Sequence, residues 1–598
     1  MELVVQKYGG TSVGDTERIK AVAQRIQKTV RTGRQVVVVV SAMGKSTDRL
    51  VSLAQDISAN PSRREMDMLL STGEQVSIAL LSMALQELGQ AAISLTGAQV
   101  GIVTEAAHSH ARILEIKTER IQKHLERGEV VVVAGFQGIT ASSELEFTTL
   151  GRGGSDTSAV ALAVALQAAR CEICTDVPGI LTTDPRLVPD AQLMAEVTAD
   201  EMLELASLGA KVLHPRAVEI ARNFGMPLTV CSSWTNDPGP AVVSLPTQEA
   251  GAQTAALELS KAVDAIEFDD LQAKVALLRI PDQPGVASQL FGTIAEQNVD
   301  VDLIVQSIHQ GNLNDIAFSV AKSDILRAHA IAEGFCARFG GNPAEEVEVD
   351  ERIAIVAIAG AGIIGRPGIA AQMFTTLGDA DINIKMISTS EVKVSCVIDQ
   401  HDLDKALKVL AETFATPLKS PLANPEAKFP AVRGAALDRE QARIAITEVS
   451  DEAGVAAKVF GALAQNNISV DTIIQSQRCR RSDDGRLTRD IAFTLARSNA
   501  NAASAAIETL QSRLQFKEIQ VDSQIAKVSV VGAGMLGQPG VAAKLFKAFS
   551  EAKINIQMIA TSDIRVSCIV AETDGAEALK LAHAAFALGS STPENIAT

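Results

Sequence analysis

The residues able to do chemistry gather in the first 245 positions, as short polar motifs set between apolar runs. In VVQKYGGTSVGD (4–15) an apolar run delivers Lys7, and Gly9 and Gly10 follow, so a cationic head and bare backbone amides face one anion. That is a phosphate clamp in outline, although it is not the G-x-x-x-x-G-K-[ST] loop. VVVVSAMGKSTDRL (37–50) repeats the design with Ser41, Gly44 and Thr47. STGEQVS (71–77) sets Glu74 in an otherwise apolar helical stretch, either as a solvated helix residue or as a carboxylate kept for a ligand. In TLGRGGSDTSAVALAVAL (149–166) Arg152 stands among glycines. Gly153, Gly154, Ser155 and Asp156 then open an Ala-rich helix, whose free N–H groups and dipole favour an anion while the guanidinium forks onto a carboxylate. CTDVPGILTTDPR (174–186) is a turn-rich strand end of the kind that edges a nucleotide site, and in GAKVLHPRAVE (209–219) Lys211 precedes a helix begun by Pro215. His214, just before that proline, reads as a capping or packing residue rather than a base.

These motifs need a scaffold that brings strand ends together. ELVVQK, QVVVVVSAM, AAISL, VVVVAGF, EICTDV and PLTVCS read as strands alternating with helices, the first over about 15–31. The expected fold is an α/β sandwich with a mainly parallel sheet, and in such sheets sites form at the C-terminal strand ends, where the motifs fall.

Composition bounds the rest. The 598 residues are too many for one core and suggest roughly three to five domains, with 47% apolar residues and only 3% aromatic ones. A net charge of −17 argues against a nucleic-acid or anionic-membrane surface. The seven cysteines show no disulfide spacing; Cys171 and Cys174 lie in a strand and read as thiols rather than a redox or zinc pair. No H-E-x-x-H pair and no resident metal ligand set stand out, no apolar run reaches the ~18 residues of a membrane span, and MELVVQKYGG lacks a secretion signal. A cytoplasmic protein is expected, with neither membrane nor nucleic acid as partner.

From about residue 264 the chain repeats itself. IPDQPGVASQLFGTIAEQNVDVDLIVQS (280–307) returns as VSDEAGVAAKVFGALAQNNISVDTIIQS (449–476), and the 359–398 stretch returns at 531–570. Four α+β units of βαββαβ pattern in two tandem pairs are expected: 264–345, 350–420, 439–520 and 524–598, with a Pro- and Ala-rich linker over 421–438, after a first domain over 1–245. Gly532, Gly534 and Gly537 spell G-x-G-x-x-G, as do the glycines after residue 359. A dinucleotide fold needs several βα units in one sheet, and a unit this short that turns back as a hairpin has no room for them. No NAD(P) is expected; the glycines read as a tight turn at a helix start, able to hold a carboxylate.

KYGGTSVGD, SAMGKSTD, STGEQ, GFQG, GRGGSDTSA, TDVPGILTTDPR and GAKVLHPRA, in this order, closely resemble the aspartokinases, of the amino-acid-kinase fold. The resemblance covers essentially the whole chain, because aspartokinases carry amino-acid-binding ACT domains after the kinase. Two departures stand out: Tyr8 where many members have Phe, and four ACT-like units where two are commoner. The resemblance implies transfer of a phosphoryl group from ATP, with Mg2+, to the side-chain carboxylate of L-aspartate, giving 4-phospho-L-aspartate, the first step toward lysine, threonine and methionine. A carboxylate nucleophile is already ionised, so no general base is required, and catalysis is positioning plus charge neutralisation.

By motif match, Lys7 neutralises charge while Tyr8, Gly9 and Gly10 line the phosphates. Arg152 takes the α-carboxylate, Glu74 the α-ammonium, and Ser41, Thr47, Gly153, Gly154 and Ser155 hold the rest of the substrate. Asp156 organises the lysines or Mg2+, and Thr175, Asp176, Asp184, Arg186 and Lys211 line the ATP site. Lysine and threonine are the implied effectors, at Asp282, Gly285, Ala287 and Gln306 in the first repeat unit and at Asp451, Gly454, Ala456 and Gln475 in the third. Ala453 in place of Pro284 separates the two sites in affinity or ligand. A homodimer joined through ACT domains is expected, and no fused dehydrogenase. The alternatives are a kinase for glutamate or N-acetylglutamate, which Glu74 disfavours for the acylated substrate, and a kinase-like sensor without activity.

Overall fold

The computed structural model describes residues 1–208, 212–235, 237, 239–243, 257–258, 262–309, 313–363, 366–419, 429–476, 480–481 and 485–589. It divides into two compact units, Met1–Leu181 with Leu193–Ser260, and Thr182–Gln192 with Lys261–Thr598. The expected 1–245 boundary therefore needs correcting at one internal segment. Residues 182–192 join the second unit because Thr182 Oγ1 bonds His583 Nε2 at 2.9 Å and its carbonyl accepts the Ala435 N–H at 2.8 Å.

Among the described residues, the first unit is built on an eight-stranded sheet. From one edge its strands are Glu196–Thr198, Ala241–Val243, Leu228–Ser232, Arg170–Thr175, Leu3–Tyr8, Gln35–Val40, Val130–Ala134 and Ala92–Leu95. The pairing is parallel except between Leu228–Ser232 and Ala241–Val243. Central strands such as QVVVVV are buried on both faces, which is why they read as unbroken apolar runs. The first helix, Thr16–Arg31, starts where Asp15 accepts the Arg18 N–H at 2.9 Å, an N-cap. Residues 63–87 are long and apolar enough to cross a membrane by length and composition, although they hold no unbroken apolar run of ~18 residues. They form two helices, Arg63–Leu70 and Thr72–Glu87, that bury Asp67 and Glu74 within this unit and so serve its core.

The second unit holds the four repeats, and its sheets show how they share strands. Ala265–Asp269, expected to open the first repeat, pairs instead with Ile353–Ala359 of the second. Gly434–Asp438, expected as linker, pairs with Ile525–Val531 of the fourth. Both corrections have one cause: a unit closes its sheet with whichever strand lies alongside its exposed edge. In space the first repeat joins the fourth and the second joins the third. Ile304–His309 pairs with Met558–Ser562, fusing repeats one and four into a single eight-stranded sheet with one apolar core. Repeats two and three share another core. There, Gly378 lets two helix ends approach so closely that a Cβ on it would lie 2.7 Å from the Gly454 Cα.

Candidate active site

The parallel sheet carries the strand ends Tyr8, Val40 and Ala134 to one rim, and backbone bonds lock the loops that follow. The Ser41 N–H bonds the Tyr8 carbonyl at 3.1 Å, the Gly44 N–H bonds the Gly10 carbonyl at 3.0 Å, and the Gly135 N–H bonds the Val40 carbonyl at 3.1 Å. Two glycines are required by proximity. A Cβ on Gly10 would lie 2.7 Å from the Ala42 carbonyl oxygen, and one on Gly135 would lie 2.9 Å from Ser155. Lys7, Gly9, Gly10, Ser41, Ser155 and Asp156 are thereby held on neighbouring loops.

Charge is arranged with equal economy. Lys7 Nζ pairs with Asp156 Oδ1 at 2.5 Å, so the carboxylate at the start of the helix Gly154–Ala165 fixes the ammonium beside the glycine turn. Glu74 is buried, and its Oε1 accepts the Ala42 N–H at 3.1 Å while Oε2 has no partner among the described residues. Burial, opposed by hydrogen bonds from backbone, pushes its carboxyl up to about 7. The open choice between a solvated residue and a ligand carboxylate is resolved against the solvated one: an orphan carboxylate oxygen in a buried setting is suited to an incoming ammonium.

Arg152 is exposed, on a loop shaped by Gly151 and Gly153 at φ of 77° and 67°. His214 packs beneath that loop, for a Cβ on Gly153 would fall 2.1 Å from its ring. Burial first, and then Arg216, lowers its pKa, which fits the packing role expected of it. Thr47 lies in the first turn of Ser46–Ile57, a helix without a buried residue at the rim. Tyr8 departs from expectation. Its side chain is fully buried in the core and its hydroxyl bonds Gln6 Oε1 at 3.3 Å, so only its backbone serves the turn.

The residues expected to line the nucleotide are less concentrated. Thr175 ends its strand, with its hydroxyl 3.2 Å from exposed Asp176 and its carbonyl accepting the Ser233 N–H at 2.7 Å. Asp184 and Arg186 pair with each other, Nη2 to Oδ2 at 2.6 Å, on the segment that belongs to the second unit. Lys211 lies outside the described residues. Two residues missed by the sequence reading brace the arginine loop. Arg216 donates to the carbonyls of Leu150 and Ala111 at 2.5 and 2.8 Å and pairs with Glu258. Asp67, fully buried, accepts from Thr149 Oγ1 at 2.6 Å and from the Ser109 N–H.

In the second unit both turns expected to bind effectors exist, with different neighbours. Asp282 Oδ1 accepts from Asn314 Nδ2 at 3.0 Å and from Asn555 Nδ2 at 2.9 Å, beside Gly285, Ala287 and Gln306. Asp451 Oδ2 is bound by Arg489 Nε at 2.8 Å, beside Gly454, Ala456 and Gln475.

Comparison with known proteins agrees with this division. The amino acid kinase family model matches residues 2–232, and ACT domain models match 274–333, 356–414, 443–515 and 528–586. Aspartokinase 2 of Bacillus subtilis (strain 168) is 48% identical over 416 residues, 69% of this chain and 98% of its own length. The aspartokinase of Pseudomonas aeruginosa is 47% identical over 414 residues, again 69% of this chain and 98% of its own. The crystal structure of aspartate kinase from Synechocystis covers 100% of both chains at 59% identity, with a TM-score of 0.86. With a kinase rim of this chemistry followed by four ACT domains, the chain belongs to the aspartokinase family.

Proposed function

We propose that the chain transfers the γ-phosphoryl group of MgATP to the side-chain carboxylate of L-aspartate and that lysine and threonine, acting at the Asp282 and Asp451 turns, restrain it. The observation that carries the substrate reading is Glu74, a buried carboxylate with one oxygen unsatisfied, on the same rim as the Lys7–Asp156 pair. Glu74 takes the α-ammonium, and Arg152 folds over the α-carboxylate. The side-chain carboxylate, held by Ser155 and Thr47, then faces the phosphoryl group carried on Gly9, Gly10 and Lys7. No residue needs to remove a proton, because the nucleophile is ionised; one P–O bond to ADP breaks as one to the carboxylate forms. Thr175, Asp176, Asp184, Arg186 and Lys211 are assigned to the nucleotide, and a homodimer to the assembly. Aspartokinase relatives carry the same reaction class in their names.

Hydroxylamine traps acyl phosphates as coloured hydroxamates. Purified protein with MgATP should give colour with aspartate and not with glutamate, and lysine or threonine should suppress it. Colour with neither substrate would overturn the catalytic reading.

A further inference from the structure

Arg152, assigned above to the aspartate α-carboxylate, stands exposed between Gly151 at φ 77° and Gly153 at φ 67°. Glycines on both sides leave a loop many conformations, yet a guanidinium that meets a carboxylate as a fork needs its backbone fixed. Arg216, at the start of the helix Pro215–Phe224, supplies one anchor. Its Nη1 donates to the Leu150 carbonyl at 2.5 Å, two residues before Arg152. Its Nη2 donates to the Ala111 carbonyl at 2.8 Å, and the Ala111 N–H in turn bonds the Thr149 carbonyl at 3.0 Å. The two segments lie against each other, for a Cβ on Gly151 would come 3.0 Å from the Ser109 carbonyl oxygen. One guanidinium thus ties the entry of the Arg152 loop to its neighbour.

What holds Arg216 comes from much further along the chain. Glu258, only 3% exposed, takes Arg216 Nε on Oε1 at 2.7 Å and Nη2 on Oε2 at 2.9 Å, a bidentate pair. Its Oε2 also accepts the Ile113 N–H at 2.6 Å. Backbone bonds seat the residue. The Leu257 N–H bonds the Leu114 carbonyl and the Glu258 N–H bonds the Ile113 carbonyl, each at 3.1 Å. These two residues follow Ala241–Val243, the last described strand of the first unit, and the second unit resumes at Lys261. A buried ion pair adds little stability over an apolar pair of the same volume, so what this one supplies is a fixed place for the Leu150 and Ala111 carbonyls.

We propose that Glu258 is a positioning residue for aspartate: it sets the Arg152 loop through Arg216, so the residues that end the first unit complete the substrate site. Its role is exercised through Arg216 rather than on the substrate. Without the pair the loop entry loosens and Arg152 meets the α-carboxylate less often, which weakens binding. An aspartate once bound still faces Lys7 and the glycine turn, which Glu258 does not hold, so transfer itself is spared. The proposal rests on the assignment of Arg152 to the α-carboxylate.

The test is a double-substitution cycle on the full chain, with steady-state rates measured over aspartate and MgATP. Glu258→Gln should raise the aspartate KM about tenfold, with kcat held within about twofold and the ATP KM unchanged. Glu258→Asp keeps a carboxylate for Arg216 and should limit the rise to about twofold to threefold. Arg152→Ala raises the aspartate KM by itself. Adding Glu258→Gln to it should raise KM no further, because the loop then has no guanidinium to aim. If circular dichroism shows that Glu258→Gln does not fold, Glu258→Asp takes its place in the cycle, and its smaller rise should likewise vanish beside Arg152→Ala. An aspartate KM unchanged by Arg152→Ala removes the assignment of Arg152 and the proposal with it. A KM that rises with Arg152→Ala but not with the Glu258 substitution, or rises that multiply in the double variant, overturns the proposal alone. Equal losses in kcat and kcat/KM for Glu258→Gln also overturn it, since they mark a role in transfer rather than in binding.

Discussion

At the residue scale the account depends on Glu74. Burial holds its carboxyl near 7, well above the ordinary value, so in the empty protein it contributes stability that is fully present below the unfolded value and lost as pH rises through 7. Binding runs the other way, because only the ionised form attracts an ammonium. The aspartate KM should therefore rise about tenfold between pH 8 and pH 6, a slope that Glu74→Gln should flatten while raising KM at pH 8. A steady-state pH series on both proteins checks this. Arg152→Ala should likewise raise the aspartate KM, by about tenfold to a hundredfold, with the ATP KM little changed. Lys7→Ala should instead strike kcat, by about a hundredfold to a thousandfold, since its charge is needed most as the phosphoryl group transfers. Asp156→Asn should fall in the same direction by freeing the ammonium from its place 2.5 Å away.

At the element scale, the sequence made some features plain and hid others. The parallel strands were legible because burial on both faces leaves unbroken valine runs, and the first helix because Asp15 caps it. The second, four-stranded sheet of the first unit was not legible. Strands of three or four residues, such as Ile102–Thr104 and Phe147–Thr149, are too short to show a period. Lys7, Glu74 and Arg152 of the proposed site were visible as motifs, but Asp67 and Arg216 were not. An acid on a short helix that also carries Arg63, Arg64 and Glu65, and an arginine after a proline, have no sequence mark until their partners, Thr149 and Leu150, are brought near. Strand sharing was hidden for a similar reason, since pairing of Ala265–Asp269 with Ile353–Ala359 is a long-range choice. The helix contact at Gly378 gives this scale its own test. Gly378→Ala places a methyl 2.7 Å from the Gly454 Cα and should cost about 1–3 kcal/mol, read as a lowered Tm of the full chain, with kinase activity at low temperature retained.

At the scale of the molecule, repeats one and four and repeats two and three pair within one chain, so each of the two turns proposed for effectors is flanked by its neighbouring repeat. The two turns differ in charge: amides surround Asp282, whereas Arg489 already occupies Asp451. Asp282→Asn and Asp451→Asn should therefore relieve inhibition by lysine and threonine unequally, while leaving the uninhibited rate unchanged; hydroxamate assays across effector concentration measure it. The central claim, that an aspartate carboxylate attacks phosphorus directly, has a sharper test. Aspartate labelled with 18O in its side-chain carboxylate is turned over with MgATP and hydroxylamine, and the released phosphate is weighed by mass spectrometry. Attack by the carboxylate predicts one 18O in each phosphate released with hydroxamate, carried across in the bridging oxygen. Unlabelled phosphate would mean that water, not aspartate, took the phosphoryl group, and would contradict the account.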